Sequence, residues 1–171
     1  MENLQYPIGK FKYNKEADIN KFNSWIQTIE EFPSNLDVLL KSMDVRHLDI
    51  TYRPEGWTGR QVVHHLADSH SHALIRFKWS LTENHPAIKA YKENLYAQLA
   101  DYTLPIEPAV MMLFGIHQKW SHIITNMNEN DWQKGYQHPE SNKFFTLREA
   151  TALYAWHCKH HLGHLEIIAK K

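Results

Sequence analysis

With 171 residues, 43% hydrophobic and 22% charged, the chain has enough apolar material for the core of one globular domain spanning 1–171. Nineteen basic side chains balance nineteen acidic ones, which argues against a nucleic-acid or acidic-membrane surface. A lone cysteine rules out an internal disulfide, there is no run of about 18 apolar residues for a membrane span, and MENLQYPIGKFKYN lacks the apolar region of a signal peptide, so a cytoplasmic protein is expected.

Glycine (6) and proline (7) are scarce, which favours long helices over a many-turned β fold. Residues 1–16 carry Pro7 and Gly9 and no period, and read as an extended surface arm anchored by Tyr6, Phe11 and Tyr13. Asp18 or Asn20 starts the first predicted helix, in which Phe22, Trp25, Ile26 and Ile29, then Leu36, Leu39, Leu40 and Met43, recur at helical spacing. Pro33 interrupts it. An interior proline costs a helix about 3 kcal/mol, so a kink or a split is expected between Glu31 and Ser34.

A connector from His47 ends in Arg53-Pro54-Glu55-Gly56. Thr58 caps the second predicted helix, from about Gly59 to Thr82, with Trp57 placed before it as a hydrophobic staple. Val62, Val63, Leu66, Ala73, Leu74, Phe77 and Leu81 mark its buried stripe. His65 flanks that stripe, roughly 100° from Leu66, while His64 lies near the opposite side. His65 is therefore the better inward ligand.

The link from Asn84 to Ile106 is long enough to carry a short helix of its own, expected over Lys89 to Leu99. The third predicted helix starts at Glu107-Pro108, with proline suited to a first turn. Met111, Leu113, Phe114, His117, Trp120, Ile124 and Met127 carry its apolar faces. Gly135 to Thr146 reads as a small hairpin or extended loop turning at Pro139-Glu140-Ser141-Asn142. Thr146 then caps the last helix, and Glu149 closes a capping box. The result is an all-α, four-helix bundle with a small hairpin before its last helix.

The last helix carries the chemistry. Trp156 to His164 reads WHCKHHLGH. His157 and His161 are four apart, as are His160 and His164, and either pair can offer two imidazole nitrogens to one ion. A bundle site draws on neighbouring helices, so one histidine of the second helix completes a three-imidazole set. Three protein ligands leave coordination positions open, the arrangement of a catalytic metal; zinc, nickel and iron all accept imidazole. A di-iron carboxylate site would need Glu-x-x-His motifs, and neither the second nor the last helix has one.

Taken together, RQVVHHLADSH, IRFK, HPE and YAWHCKHHLGHL, in that order and preceded by the YPIG arm, resemble the YfiT-like branch of the DinB superfamily over nearly the whole chain. The resemblance implies a DinB-like bundle of up-up-down-down topology, usually a homodimer. It also implies one divalent metal per chain, zinc first and nickel or iron as alternatives, held by His65, His157 and His161. It implies a metal-dependent hydrolase acting on a small molecule. The alternative is a thiol S-transferase using bacillithiol or another low-molecular-weight thiol. A reading of another class is a metal-binding stress-response protein without turnover.

On this pattern His164 lies outside the ligand set, and with Asp68 it is a candidate catalytic side chain beside the ion; Asp68 could instead orient a ligand imidazole. Arg76 is a candidate for binding a carboxylate, and Trp57 and Tyr91, with Trp120, Trp156 and Tyr154, for lining an apolar pocket. Cys158 reads as a packed thiol.

Overall fold

Two threonines set the register of the two helices that build the site. Thr58 accepts a hydrogen bond from the Gln61 backbone N–H, and the Gln61 side chain accepts from Thr58 N–H, closing a capping box at the start of α3. Thr146 accepts from the Glu149 N–H at the start of α6. That second box stays open, because the Glu149 carboxylate is taken by Lys143.

The computed structural model describes residues 2–15 and 19–171. Its elements are α1 (Glu2–Gln5), α2 (Phe22–Ser42), α3 (Gly59–Thr82), α4 (Glu93–Tyr96), α5 (Glu107–Thr125), β1 (Gly135–His138), β2 (Lys143–Thr146) and α6 (Leu147–Ala169). β1 and β2 form the expected antiparallel hairpin, Gly135 pairing with Thr146 and His138 with Lys143. No described helix is long and apolar enough to cross a membrane.

Several expectations need correction. The arm is not wholly extended: its first residues form the one-turn α1, although Phe11 packs on Trp156 and Tyr13 on Trp25 as anchors. Asp18 lies outside the described residues, and Asn20 sits in a 3₁₀ turn ahead of α2. Pro33 does not split α2, which runs unbroken through it. The proline and its neighbours Ile29, Phe32 and Leu36 are all buried, and that packing offsets the backbone hydrogen bond Pro33 cannot donate. Lys89 to Leu99 holds only the single turn of α4, with a 3₁₀ turn after it at Ala100–Thr103. On α5, Met111 and Phe114 face outward at 68% and 42% exposure, while Leu113, His117, Trp120 and Ile124 face the core.

Helix direction follows from which ends meet. A Cβ on Gly59, the first residue of α3, would touch Leu48, just beyond α2, and Ile168, at the end of α6. Arg60 reaches the carbonyl of Leu104, just ahead of α5. So α2 and α6 finish where α3 and α5 begin, and the order is up-down-down-up rather than up-up-down-down. The physical reason is the connections. Residues 43–58 turn the chain straight back, while the long stretch after α3 returns it so that α5 runs parallel to α3. α2 and α3, consecutive in sequence, sit across the diagonal; each packs on α5 and α6.

The core is in two parts. One gathers Ile29, Phe77, Trp120, Ile124, Leu147 and Tyr154. The other gathers Phe32, Leu36, Leu66, Leu113, Leu165 and Ile168. Along each of three helices a histidine falls between the two: His70 between Ala67 and Ala73, His117 between Leu113 and Trp120, His157 between Ala155 and Cys158. A layer of imidazoles thus crosses the waist of the bundle.

Candidate metal centre

The i,i+4 spacing of His157 and His161 places both rings on the face of α6 that meets α3, with centroids 4.5 Å apart. His65 comes from the second turn of α3; its ring lies 5.3 Å from that of His157 and 4.8 Å from that of His161. One ligand atom from each of the three can be chosen so that all lie within 4.8 Å of one another. His65 Nε2 and His157 Nε2 are 3.2 Å apart. Two nitrogens at zinc–imidazole distance in a tetrahedral array stand about 3.3 Å apart, so this edge has the size an ion requires.

Burial pushes His65 down to about 3, helped by the nearby imidazoles of His160 and His164. It pushes His157 and His161 well below the ordinary range too, with the other imidazoles of the cluster adding to the effect. Neutral imidazole is the form that binds a metal. The Nδ1 atom of His65 is buried without a hydrogen-bond partner among the described residues. The donor set, its spacing and its neutrality together fit a divalent ion.

A second triad meets the same distance test: His160, His161 and His164, all on α6. Two of its members are held by other contacts, although His160 Nδ1 has no hydrogen-bond partner among the described residues. His160 stacks on Trp156 with centroids 4.4 Å apart, and His164 stacks on Tyr52 at 3.9 Å. His164 Nε2 lies 3.1 Å from the Gln5 carbonyl oxygen, which ties the amino-terminal arm to α6. Gly163 permits that docking, since a Cβ there would come within 2.9 Å of Pro7.

A cavity of about 410 Å³ opens beside the first triad, walled by Trp57, Tyr52, Arg53 and Trp156. An adjoining one of about 640 Å³ is lined by Arg76, Tyr91, His138, Glu140 and Tyr154. Both are lined by Glu93, Asn94 and His157. Trp57 and Tyr91 therefore line separate chambers, and Trp120 is core. Arg76 is 9% exposed and donates to the Tyr154 hydroxyl at 3.1 Å, with no carboxylate in ion-pair range among the described residues. Asp68 does not reach a ligand imidazole. It accepts from the Tyr102 hydroxyl at 2.7 Å, a partner supplied by the long link. His64 is buried but turned away, against the Leu104 carbonyl. Cys158 is fully buried and its thiol pushed up by that burial.

Sequence reading missed the roles of His70 and His117. His70 Nε2 is 3.1 Å from His157 Nδ1, His70 Nδ1 is 2.8 Å from His117 Nε2, and His117 Nδ1 is 2.6 Å from the Ile29 carbonyl oxygen. The available signal was a titratable residue in the middle of an apolar stripe, His117 between Leu113 and Trp120.

Comparison with known proteins gives concordant matches. The DinB superfamily model matches residues 28–165. A Bacillus cereus protein named "Putative metal-dependent hydrolase" is 42% identical over 171 residues, covering 100% of this chain and 98% of that one. A Bacillus anthracis protein of the same name is 41% identical with the same coverage. The solved structure of YfiT from Bacillus subtilis, described as a probable metal-dependent hydrolase with an unusual four-helix bundle topology, superposes with a TM-score of 0.93. It is 38% identical and the match covers 98% of this chain and 97% of that one.

Proposed function

The chain belongs to the DinB superfamily, and from that premise we propose that it is a metal-dependent hydrolase of small molecules whose divalent ion is held by His65, His157 and His161. The observation that carries the reading is the convergence of three neutral imidazoles from two helices at the wall of a 410 Å³ cavity. Zinc is the first choice of ion, with nickel and iron as alternatives that accept the same ligands. Such an ion, when bound, lowers the pKa of a coordinated water and polarises a carbonyl. The protein's own part is to fix the three nitrogens, to shape the cavity and to orient the substrate.

Arg76 supplies the orienting charge. A guanidinium this buried with no carboxylate partner among the described residues carries a large desolvation cost, which a substrate carboxylate would offset through charge-assisted hydrogen bonds. Tyr91 and Tyr154 wall the chamber in which that group would sit, and Trp57 walls the chamber beside the triad. The open cavity supports turnover over simple metal storage, since a storage site would be closed by a fourth protein ligand.

The test is a panel of esters and amides, with and without a terminal carboxylate, assayed on zinc-loaded protein with and without a low-molecular-weight thiol. Thiol-independent cleavage that disappears in His157→Ala supports the hydrolase. Turnover that requires the thiol replaces it with a thiol S-transferase, and no turnover of any kind with metal tightly bound replaces it with a metal-binding protein.

A further inference from the structure

We infer that His70, His117 and His164 are positioning residues that lock both α6 ligands, His157 and His161, into the tautomer with Nδ1 protonated and Nε2 bare. The inference rests on the ligand set proposed above and deepens it.

Two main-chain carbonyls, of Ile29 and Gln5, set the direction of the relays. A carbonyl oxygen only accepts hydrogen bonds, so the ring nitrogen facing it must carry the proton. His117 Nδ1 faces the Ile29 carbonyl at 2.6 Å and therefore donates. A neutral imidazole has one donor and one acceptor, so His117 Nε2 is the acceptor. It accepts from His70 Nδ1 at 2.8 Å. His70 Nε2 is then bare and accepts from His157 Nδ1 at 3.1 Å. His157 is left with a free lone pair on Nε2, the atom 3.2 Å from His65 Nε2. The reverse direction would set a ring lone pair against the lone pairs of the Ile29 carbonyl.

The other ligand is fixed from the Gln5 carbonyl in the same way. His164 Nε2 faces the Gln5 carbonyl at 3.1 Å and donates to it. Its Nδ1 is the acceptor, 3.3 Å from His161 Nδ1, which must therefore donate. His161 Nε2 is left bare. In the metal-free protein the one remaining contact, between His65 and His157, then has His65 Nε2 as its donor.

Both relays are shielded from water. His70, His117, His161 and His164 are 0%, 1%, 6% and 2% exposed and His157 is half-buried, and burial disfavours the charged form of such rings. A metal-bound histidine is a better donor when its other nitrogen gives its proton to an acceptor, and the acceptor also fixes the ring plane. The common acceptor is a carboxylate or a carbonyl. Here two histidines are interposed for His157 and one for His161, which moves the anchoring carbonyl to a different element: α2 for His157 and the amino-terminal α1 for His161. Elements that provide no ligand thereby anchor the two ligands of α6.

Imidazole ¹⁵N shifts of the metal-free protein test this directly. The expected pattern is Nδ1–H on His70, His117, His157 and His161, and Nε2–H on His164 and His65. Finding His157 or His161 with its proton on Nε2 overturns the inference. Zinc affinity, measured by chelator competition, provides the second readout. His117→Phe is expected to weaken binding on the order of 10- to 100-fold although it touches no ligand. His117→Gln, whose amide can donate to Ile29 and accept from His70, is expected to restore most of the loss, and exposed His122→Phe to change nothing. Equal loss in His117→Phe and His117→Gln, or none in His117→Phe, also overturns the inference. Should His117→Phe fail to fold, the shifts of the unsubstituted protein decide alone. Failure of that protein to bind zinc would refute the proposed metal site while leaving the tautomer pattern to be judged by its own measurement.

Discussion

The two histidine triads look alike by distance and differ in what their nitrogens are already doing. His65, His157 and His161 come from two helices, and the Nδ1 atoms of the α6 pair are used up by relays that leave both Nε2 atoms bare, that of His157 3.2 Å from His65 Nε2. His160, His161 and His164 come from one helix; His160 is stacked on Trp156, and His164 has spent both nitrogens on Gln5 and His161. His161 belongs to both, so the two cannot each hold an ion with it at once. Proximity of imidazoles is therefore a weak sign of a site. What separates a ligand from its support is whether a lone pair remains after the hydrogen bonds are counted.

The sharpest way to break this comparison is to remove one member of each triad. His157→Ala should lose tight zinc binding altogether, read by metal content after dialysis, because two remaining imidazoles do not hold an ion strongly. Next in size is the chamber beyond the triad. Arg76→Met should lower kcat/KM by about ten- to a hundredfold on carboxylate-bearing substrates, the weight of a charge-assisted hydrogen bond of roughly 1.5–3 kcal/mol, while leaving metal content unchanged. An equal loss on uncharged substrates would place Arg76 in the scaffold instead.

How much of this was legible in the chain depends on the range of the interaction. Thr58 and Thr146 mark their helix starts because a cap is a contact within one turn, visible in the sequence as a spacing. The same rule failed for the Glu149 side chain because Lys143, six positions earlier at the start of β2, competes for it. Asp68 was lost to Tyr102, 34 positions away, for the same reason. The His157/His161 pair shows as an i,i+4 spacing, and its partner His65 as a residue beside an apolar stripe. Nothing local distinguishes His70 from the other histidines of α3, because its role depends on α5 and α6 meeting it. The direction of the helices was likewise hidden, since a linker's length does not state where it ends.

The waist of the bundle makes a pH prediction. Burial lowers His117 from 6.5 to about 4. Between those values the unfolded chain binds a proton that the folded one refuses, so stability is fully present above about pH 6.5 and falls as pH drops toward 4. Over that window the loss is worth roughly 3 kcal/mol for this one group. Thermal melts of the metal-free protein should show the midpoint falling over that window, and His117→Gln should make the fall shallower by one group's share, the other buried histidines keeping theirs. A midpoint unchanged from pH 7 to pH 4 would contradict the neutral waist.

A smaller effect is expected at the arm. Gly163→Ala improves helix propensity by up to about 1 kcal/mol yet sets a methyl against Pro7, so it should loosen the arm and weaken zinc binding only a few-fold, read by proteolysis of the first fifteen residues and by chelator competition. Smallest of all should be His160→Gln, which removes a ring stacked at the cavity wall and no proposed ligand.

Metal stoichiometry in two variants decides between the triads most directly. If His65, His157 and His161 hold the ion, protein loaded with zinc and dialysed keeps one equivalent per chain in the parent and in His160→Gln, and none in His65→Ala. Retention by His65→Ala together with loss in His160→Gln would put the ion on the single-helix triad and contradict the account.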